Sequence, residues 1–460
     1  MVIINADMHI HGRFSRATSK NLDFANLEKY ARQKGLSLLG TGDFTHPKWS
    51  EDIKNTFREE NGILYTKTNF PFVLQTEISL IFTDKILRKG KRIHVVILAP
   101  SIEVTRQITD KLLEFGRVDY DGRPIFNIQP DDFVNYMREI DKRIEIIPAH
   151  VWTPWFGLFG SNSGYDKIED CFKDQTKHIH ALETGLSSDP MMNWQLSTLD
   201  RFNLVSSSDC HSFWPWRLGR ESTLFELNDL TYDNLIKAHR NIDDKNESNK
   251  ILATMEFWPE EGKYHYDGHR KCNFVSDPEK TKILNEVCPV CNKQLTLGVS
   301  YRVNQLADRK YGEISKTAKP FINLIPLAEL ISFALKMSVS SKKVFETYSK
   351  FIKHYGNEYN VMLNASKDSL LDFAAKNSVH PIVIKVILEN RNFNVFFKPG
   401  YDGEYGVVVE NTDEKDDFHS RKLAYLRNID QELRNKNLYI GFSDSNDNIK
   451  SNDSLSNYIK

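Results

Sequence analysis

The sequence predicts an α/β protein: a distorted seven-stranded, TIM-like (βα)7 barrel followed by a zinc-binding module and a helical C-terminal module. Three observations carry this prediction. Seven short β-rich apolar runs punctuate the first 210 residues, segments of helical period lie between several of them, and nearly every run leads into a side chain able to bind a metal.

The runs are Val2–Ile4, Leu36–Leu39, Phe72–Leu74, Val95–Leu98, Ile144–Ile147, Ile179–Leu182 and Leu204–Val205. Helical spacing is read over Leu22–Lys34, over Ile102–Phe115 after Ser101, over Asp131–Ile140 and over Met191–Phe202. Strands that alternate with helices imply a parallel sheet, and seven in succession suggest a closed or nearly closed barrel.

A chain of 460 residues exceeds one compact core, so two or three domains are expected. With 40% hydrophobic and 27% charged residues the composition is that of a globular protein, neither disordered nor membrane-embedded. No apolar run approaches the roughly 20 residues that span a bilayer, and the start lacks a basic segment and cleavage site, so the expected compartment is the cytoplasm. A net charge of -1 offers no global attraction for nucleic acid, which leaves that role to local charge. Cysteine is odd in number at 5, and Cys272, Cys288 and Cys291 lie close together, which points to metal binding rather than a disulfide framework.

The texture changes near 250. The expected organisation is a catalytic domain over 1–250, a zinc module over 251–300, a helical module over 301–410 and an extension over 411–460. The Ser/Asn/Asp-rich end of the extension is expected to be disordered. Ser340-Ser341 is the expected cap of a helix through Val344, Tyr348, Phe351 and Tyr355.

The residues that follow the runs are Asp7/His9/His11, Asp43/His46, Glu77, His150, Glu183 and Asp209/His211. In a parallel barrel the carboxyl ends of the strands meet on one face, so positions far apart in sequence would converge. His9 and His11, two apart at a strand end, point to one side and can share an ion. His178 and His180 have the same spacing but open their run, and are read as structural. Cys210, between two candidate ligands, is read as core.

This ordered set, with His94 in Arg92-Ile93-His94-Val95, resembles the polymerase and histidinol phosphatase (PHP) family. Its members bind two or three ions. The resemblance implies His9, His11, Glu77, His94, His150, Asp209 and His211 as ligands, with Glu77 bridging and Asp43 standing where a His is common. Asp43, His46, Glu77 and Asp209 are the implied catalytic residues, His46 either as ligand or as substrate contact. A further His usual after the first pair is replaced here by Arg13 to Arg16, which leaves a third metal position open. Mixed imidazole and carboxylate ligands suit Zn, Mn or Fe. Zn2+ is expected in the structural site and the active site, with Mg2+ or Mn2+ as alternatives in the latter. A Glu77 bridge would hold two ions roughly 3.5–4 Å apart, as two-metal phosphoesterases require.

His269-x2-Cys272-x15-Cys288-x2-Cys291 has the spacing of a four-ligand structural zinc site, with His265 as the alternative to His269. Lys263 to Cys272, this Cys pair and Pro399-Gly400-Tyr401-Asp402-Gly403 narrow the resemblance to the endonuclease Q family, over about the first 410 residues. It implies nicking of DNA on the 5′ side of uracil, hypoxanthine, xanthine or an abasic site by a metal-activated water.

Aromatic and basic residues follow two of the candidate ligands. Trp152 and Trp155 come after His150, and Trp214, Trp216, Arg217 and Arg220 after His211. An extruded base needs flat walls and its phosphate needs cationic clamps, so these residues, with Arg13 and Arg16, are the expected DNA contacts; about half of the aromatics are expected to be packing instead. The run Lys85, Arg88, Lys89, Lys91, Arg92 reads as a solvated hairpin or a phosphate-tracking patch. The expected partner is damaged DNA, as duplex or single strand, with repair or replication proteins and no membrane. Two alternatives stand beside a repair endonuclease: a small-molecule phosphatase of the same barrel, and a non-catalytic DNA-binding or helicase-associated module.

Overall fold

All seven apolar runs are strands in the computed structural model, which describes residues 1–242, 248–409, 422 and 424–429. The first eight strands are β1 (Val2–Asp7), β2 (Leu38–Gly40), β3 (Arg58–Glu60), β4 (Ile63–Tyr65), β5 (Pro71–Thr83), β6 (Gly90–Ala99), β7 (Ile125–Phe126) and β8 (Glu145–Pro148). Then come β9 (Ala181–Glu183), β10 (Asn203–Val205), β11 (Ser222–Leu227), β12 (Lys250–Glu256), β13 (Asp267–His269), β14 (Phe274–Ser276), β15 (Phe321–Asn323), β16 (Phe396–Lys398) and β17 (Val407–Val409).

The predicted parallel barrel is corrected. Among the described residues the main sheet runs β15-β12-β11-β1-β2-β5-β4-β3, with β6 and β7 also on β5 and β8 on β6, and does not close, and β9 and β10 pair with each other in a separate sheet. β1, β2 and β5 are parallel, but β1–β11, β5–β6 and β6–β8 are antiparallel. The physical reason lies in β5. Its apolar run is cut short by Gln75, Thr76, Glu77 and Ser79, so a three-residue signal concealed a 13-residue strand, all four of these polar residues being buried. β5 turns straight into β6 as a hairpin, and a hairpin needs no crossover helix.

Helices form at Phe24–Lys34, Ile102–Leu113 and Pro130–Ile140; the Ser101 side chain accepts from the Val104 amide as cap. The helix expected over Met191–Phe202 is only Pro190–Asn193 followed by a 3-10 turn at Ser197–Leu199. Met191, Met192, Trp194, Leu196, Leu199 and Phe202 are all buried, so the apolar pattern came from an irregular segment enclosed on every side rather than from one helix face.

The composition change near 250 does not end the sheet. β12 begins at Lys250 and pairs with β11, and β15 pairs parallel with β12. Beyond it, β13 and β14 form a small hairpin, and helices Leu327–Leu335, Lys342–Tyr355, Lys367–Lys376 and Pro381–Arg391 pack together. Ser341 caps the second of these through Val344 N. A buried ion pair at 2.7 Å between Lys34 and Glu358 joins this helical part to the first helix of the chain. Of the expected extension 411–460 only Lys422 and residues 424–429 are described, and its Ser/Asn/Asp-rich end lies outside the described residues. No described helix is long and apolar enough to cross a membrane.

Candidate active site

Residues from five strands and their following loops meet in one buried cluster. Two groups of side chains each place their ligand atoms within 4.8 Å of one another: His9, His11, Glu77 and Asp209, and Glu77, His94 and His150. Glu77 is common to both. In the β5–β6 ladder Ser79 faces His94, so Glu77, two residues earlier, is its diagonal neighbour on the same face. Glu77 Oε1 lies 2.8 Å from His94 Nδ1 and 3.2 Å from His150 Nε2, and Oε2 lies 3.3 Å from His11 Nε2. Asp209 Oδ1 lies 3.1 Å from His11 Nε2 and 3.7 Å from His9 Nε2.

The local backbone is bent to achieve this. Asp43, His150 and Asp209 have φ of 40°, 30° and 46°, a region that non-glycine residues rarely adopt and that costs roughly 1–3 kcal/mol each. Such positions persist where the surroundings over-determine them. Gly122 shows how closely the covering loop approaches: a Cβ there would sit 2.2 Å from Asp43 Oδ2.

Around the two groups stands a layer that orients them. His9 Nδ1 is 3.0 Å from Glu183, His11 Nδ1 is 3.1 Å from Asp43 Oδ1, and His150 Nδ1 is 2.9 Å from Thr153 Oγ1. Each contact fixes which ring nitrogen is left for an ion. Asp43, expected as a ligand, is outside both groups, since its other oxygen accepts from Gly12 N and Ser15 Oγ. His211 also lies outside them, its ring 4.4 Å from that of His11. His46 stacks on Phe14 at 4.4 Å and is likewise outside. His180 bonds Glu145 at 2.9 Å, and Cys210 is fully buried.

The donor set fits cations. Of the four carboxylates Glu77, Asp209, Glu183 and Asp43, Glu77 pairs with a guanidinium, that of Arg123, whose Nη1 is 3.0 Å from Glu77 Oε2. Burial opposes ionisation of Glu77, but His94, Arg123 and His9 outweigh it and hold the carboxyl well below its usual range. Burial pushes His94 down to about 4, the neutral form a metal takes, whereas at His9, His11 and His150 burial is outweighed by the carboxylates beside them, which raise those rings and mark a site that attracts positive charge. His9 Nε2, the ring nitrogen turned towards Glu77 and Asp209, is buried with no hydrogen-bond partner, as expected of an atom meant for an ion. Arg123 was missed by sequence reasoning, because its Asp121-Gly122-Arg123-Pro124 turn carries only a turn signal.

A cleft of about 600 Å³ opens beside the cluster, with His150, Asp209, Arg217, Lys263, Tyr264 and Tyr405 among its lining residues. Arg217 lies 5.0 Å and Lys263 4.6 Å from the centre of the Tyr405 ring. Arg220 reaches the same wall but is buried, donating to Ser208 O. Trp155 is 36% exposed and meets Tyr264 edge to face at 5.7 Å. Trp152 is corrected from DNA contact to core: it is 1% exposed and donates to Asn193 Oδ1 at 2.7 Å. Trp214 and Trp216 stack on each other at 5.3 Å against the main core, which leaves no stacking gap between them for a base. Arg13 pairs with Asp52, and Arg16 with Asp121 at 3.3 Å.

His269, Cys272, Cys288 and Cys291 form a third group within 4.8 Å, and His265, buried beside Tyr266, is not in it. The segment 399–406 docks on this module: Asp402 accepts from Arg270 N and Thr296 Oγ1, and Tyr401 Oη donates to Asn273. The same segment brings Tyr405 into the cleft, so the module that holds His269, Cys272, Cys288 and Cys291 helps to set a wall of the candidate active site.

A solved structure of the lesion-specific endonuclease PfuEndoQ from Pyrococcus furiosus is 30% identical, covers 88% of this chain and 95% of its own, and superposes with a TM-score of 0.76. The chain belongs to the endonuclease Q family. A structure of Endonuclease Q in complex with a 27-mer duplex substrate, with an abasic lesion at the active site, is 29% identical with a TM-score of 0.78, over 90% of this chain and 98% of that one. The family model described as the MJ0043 C-terminal domain matches residues 326–393, the four packed helices. Uncharacterized protein MJ0043 of Methanocaldococcus jannaschii is 33% identical over 65% of this chain, which spans 35% of that protein's length. Uncharacterized protein YqxK of Bacillus subtilis is 25% identical over 88% of this chain and 99% of its own.

Proposed function

We propose that this endonuclease Q family member is a metal-dependent DNA repair endonuclease that hydrolyses the phosphodiester 5′ to a deaminated base (uracil, hypoxanthine or xanthine) or an abasic site. The single observation that carries this reading is Glu77 shared between two ligand groups at the edge of a cleft large enough for a nucleotide. The abasic duplex bound by a structural relative supports the substrate class.

His9, His11 and Asp209 would hold one ion and His94 and His150 a second, with Glu77 reaching both. Bound there, the metals lower the pKa of water and stabilise charge on the leaving oxygen. The chain's own residues do the rest. Arg123, fixed by Glu77, offers a guanidinium to a phosphate oxygen, Arg217 and Lys263 supply further positive charge, and the exposed part of Tyr264 and Tyr405 gives an extruded nucleotide an aromatic wall. The cleft accounts for the later segments, which a small-molecule phosphatase would not need.

The test uses labelled duplexes with a single uracil, hypoxanthine or normal base, beside p-nitrophenyl phosphate. Cutting of the altered strand alone is expected. Equal cutting of the normal duplex would remove the selectivity, and turnover of the monoester without cutting would favour a phosphatase.

A further inference from the structure

A second open groove, of about 440 Å³, lies between the β5–β6 hairpin and the loop after His150, with Lys91, Arg92, Asn127, Trp155 and Asn162 along its sides. Its link to the metal cluster is Arg92, two residues before His94 on β6, whereas the cleft is lined by His150 and Asp209 themselves. Trp155 lines the groove and Tyr264 lines the cleft, and their edge-to-face contact at 5.7 Å separates the two. Below that contact the Phe156 ring packs on His94 at 4.2 Å and under the Arg92 guanidinium at 5.9 Å. In the group Glu77, His94 and His150, His150 thus lines the cleft, and His94 is joined through Phe156 to Arg92 of the groove.

The groove has the parts of a single-strand track. Arg92 is exposed and, among the described residues, has no carboxylate partner, although this chain has one more acid than base. The nearby acids are already engaged: Asp84 accepts from Tyr165, Asp132 pairs with Lys85, and Asp131 with Lys173. An unpaired guanidinium, a half-exposed indole and two amides bind a nucleotide without reading its sequence. Arg92 is also two residues from His94 on the same strand, so it stands roughly 6.7 Å from a candidate ligand, a reach suited to the next phosphate along a chain.

We propose that this groove binds the DNA strand on the 5′ side of the cut, with Arg92 on a phosphate and Trp155 against a base. This rests on the reading above, in which the altered nucleotide, 3′ to the cut, occupies the cleft. The strand then crosses the metal cluster from groove to cleft, and the polarity of the product follows from which cavity holds the lesion.

The test compares the full chain with Arg92→Gln, Arg92→Lys and Trp155→Ala on a long uracil duplex and on duplexes shortened on the 5′ or the 3′ side of the cut. On the long duplex each of Arg92→Gln and Trp155→Ala is expected to raise KM about tenfold, and Arg92→Lys to recover part of the loss. On the 5′-shortened duplex the variants and the parent should converge, because the partner of the groove is gone. Equal effects on both shortened duplexes, or none on the long one, overturn the proposal. A binding measurement keeps it separate from the catalytic reading. With a fluorescent single-stranded oligonucleotide, Arg92→Gln should reduce the slope of log affinity against log salt by about 0.7, whether or not the protein cuts. An unchanged slope overturns the groove assignment alone; failure of the parent to cut, with the slope reduced, overturns the catalytic reading alone.

Discussion

Both carboxylate oxygens of Glu183 lie 3.0 Å from His9 Nδ1, and one of them also accepts the His150 amide at 2.8 Å. One side chain thus orients a ligand of each candidate ion. Glu183→Gln keeps an acceptor for the amide and removes the charge behind His9. Metal affinity is expected to fall by about 10–100-fold, measured by metal titration, with the circular dichroism spectrum unchanged. An affinity within twofold of the parent would contradict the orienting role.

Arg123 tests charge without changing a ligand side chain. It bonds Glu77 from a loop and is the nearest guanidinium to the cluster. Arg123→Gln is expected to lower kcat on a damaged duplex by about 10²-fold while KM and metal content change little. A pure KM effect would move Arg123 from transition-state contact to substrate binding.

The group His269, Cys272, Cys288 and Cys291 makes a sharper pair. Cys291→Ser should lose one zinc per chain, lower the melting temperature and abolish cutting, because the docked segment that carries Tyr405 loses its support. His265→Asn should leave the zinc content as in the parent. Elemental analysis of the two variants decides between His269 and His265, and zinc lost from the second but not the first would reverse the assignment.

Glu256 gives a pH signature. It is fully buried and accepts from Ser206, Thr254 and Thr184, and burial pushes its carboxyl up from 4.5 to about 8. A raised folded-state value contributes stability that is complete below the unfolded value and is lost as pH rises through the folded one. The parent's melting temperature should therefore fall between about pH 5 and 8, and Glu256→Gln, which cannot ionise, should flatten that fall. Melting curves that stay parallel across this range would contradict it.

The metal cluster was legible because its members sit where alternation and strand ends put them. His9, His11, His150 and Asp209 each follow a recognisable apolar run. Glu77 was read as following the run Phe72–Leu74 and His94 came with the family resemblance, though both lie within strands. The barrel was misread for the same reason that the site exists: the polar residues in the middle of β5 hid the hairpin that brings Glu77 beside His94. Tryptophan was ambiguous from sequence, since Trp152 and Trp155 differ only in how the loop turns, one into the core and one into a groove. Arg123 and Tyr405 arrive from distant turns, and no local pattern announces such a convergence.

The most direct measurement of the central claim is the cleavage, by metal-stripped protein, of a duplex 5′-labelled on a strand with one uracil, before and after metal is restored. The account predicts no product from the stripped protein, a single cut 5′ to the uracil with an extendable 3′ end on restoration, and no recovery in Glu77→Gln or Asp209→Ala. Cutting that survives both chelation and Glu77→Gln would contradict it.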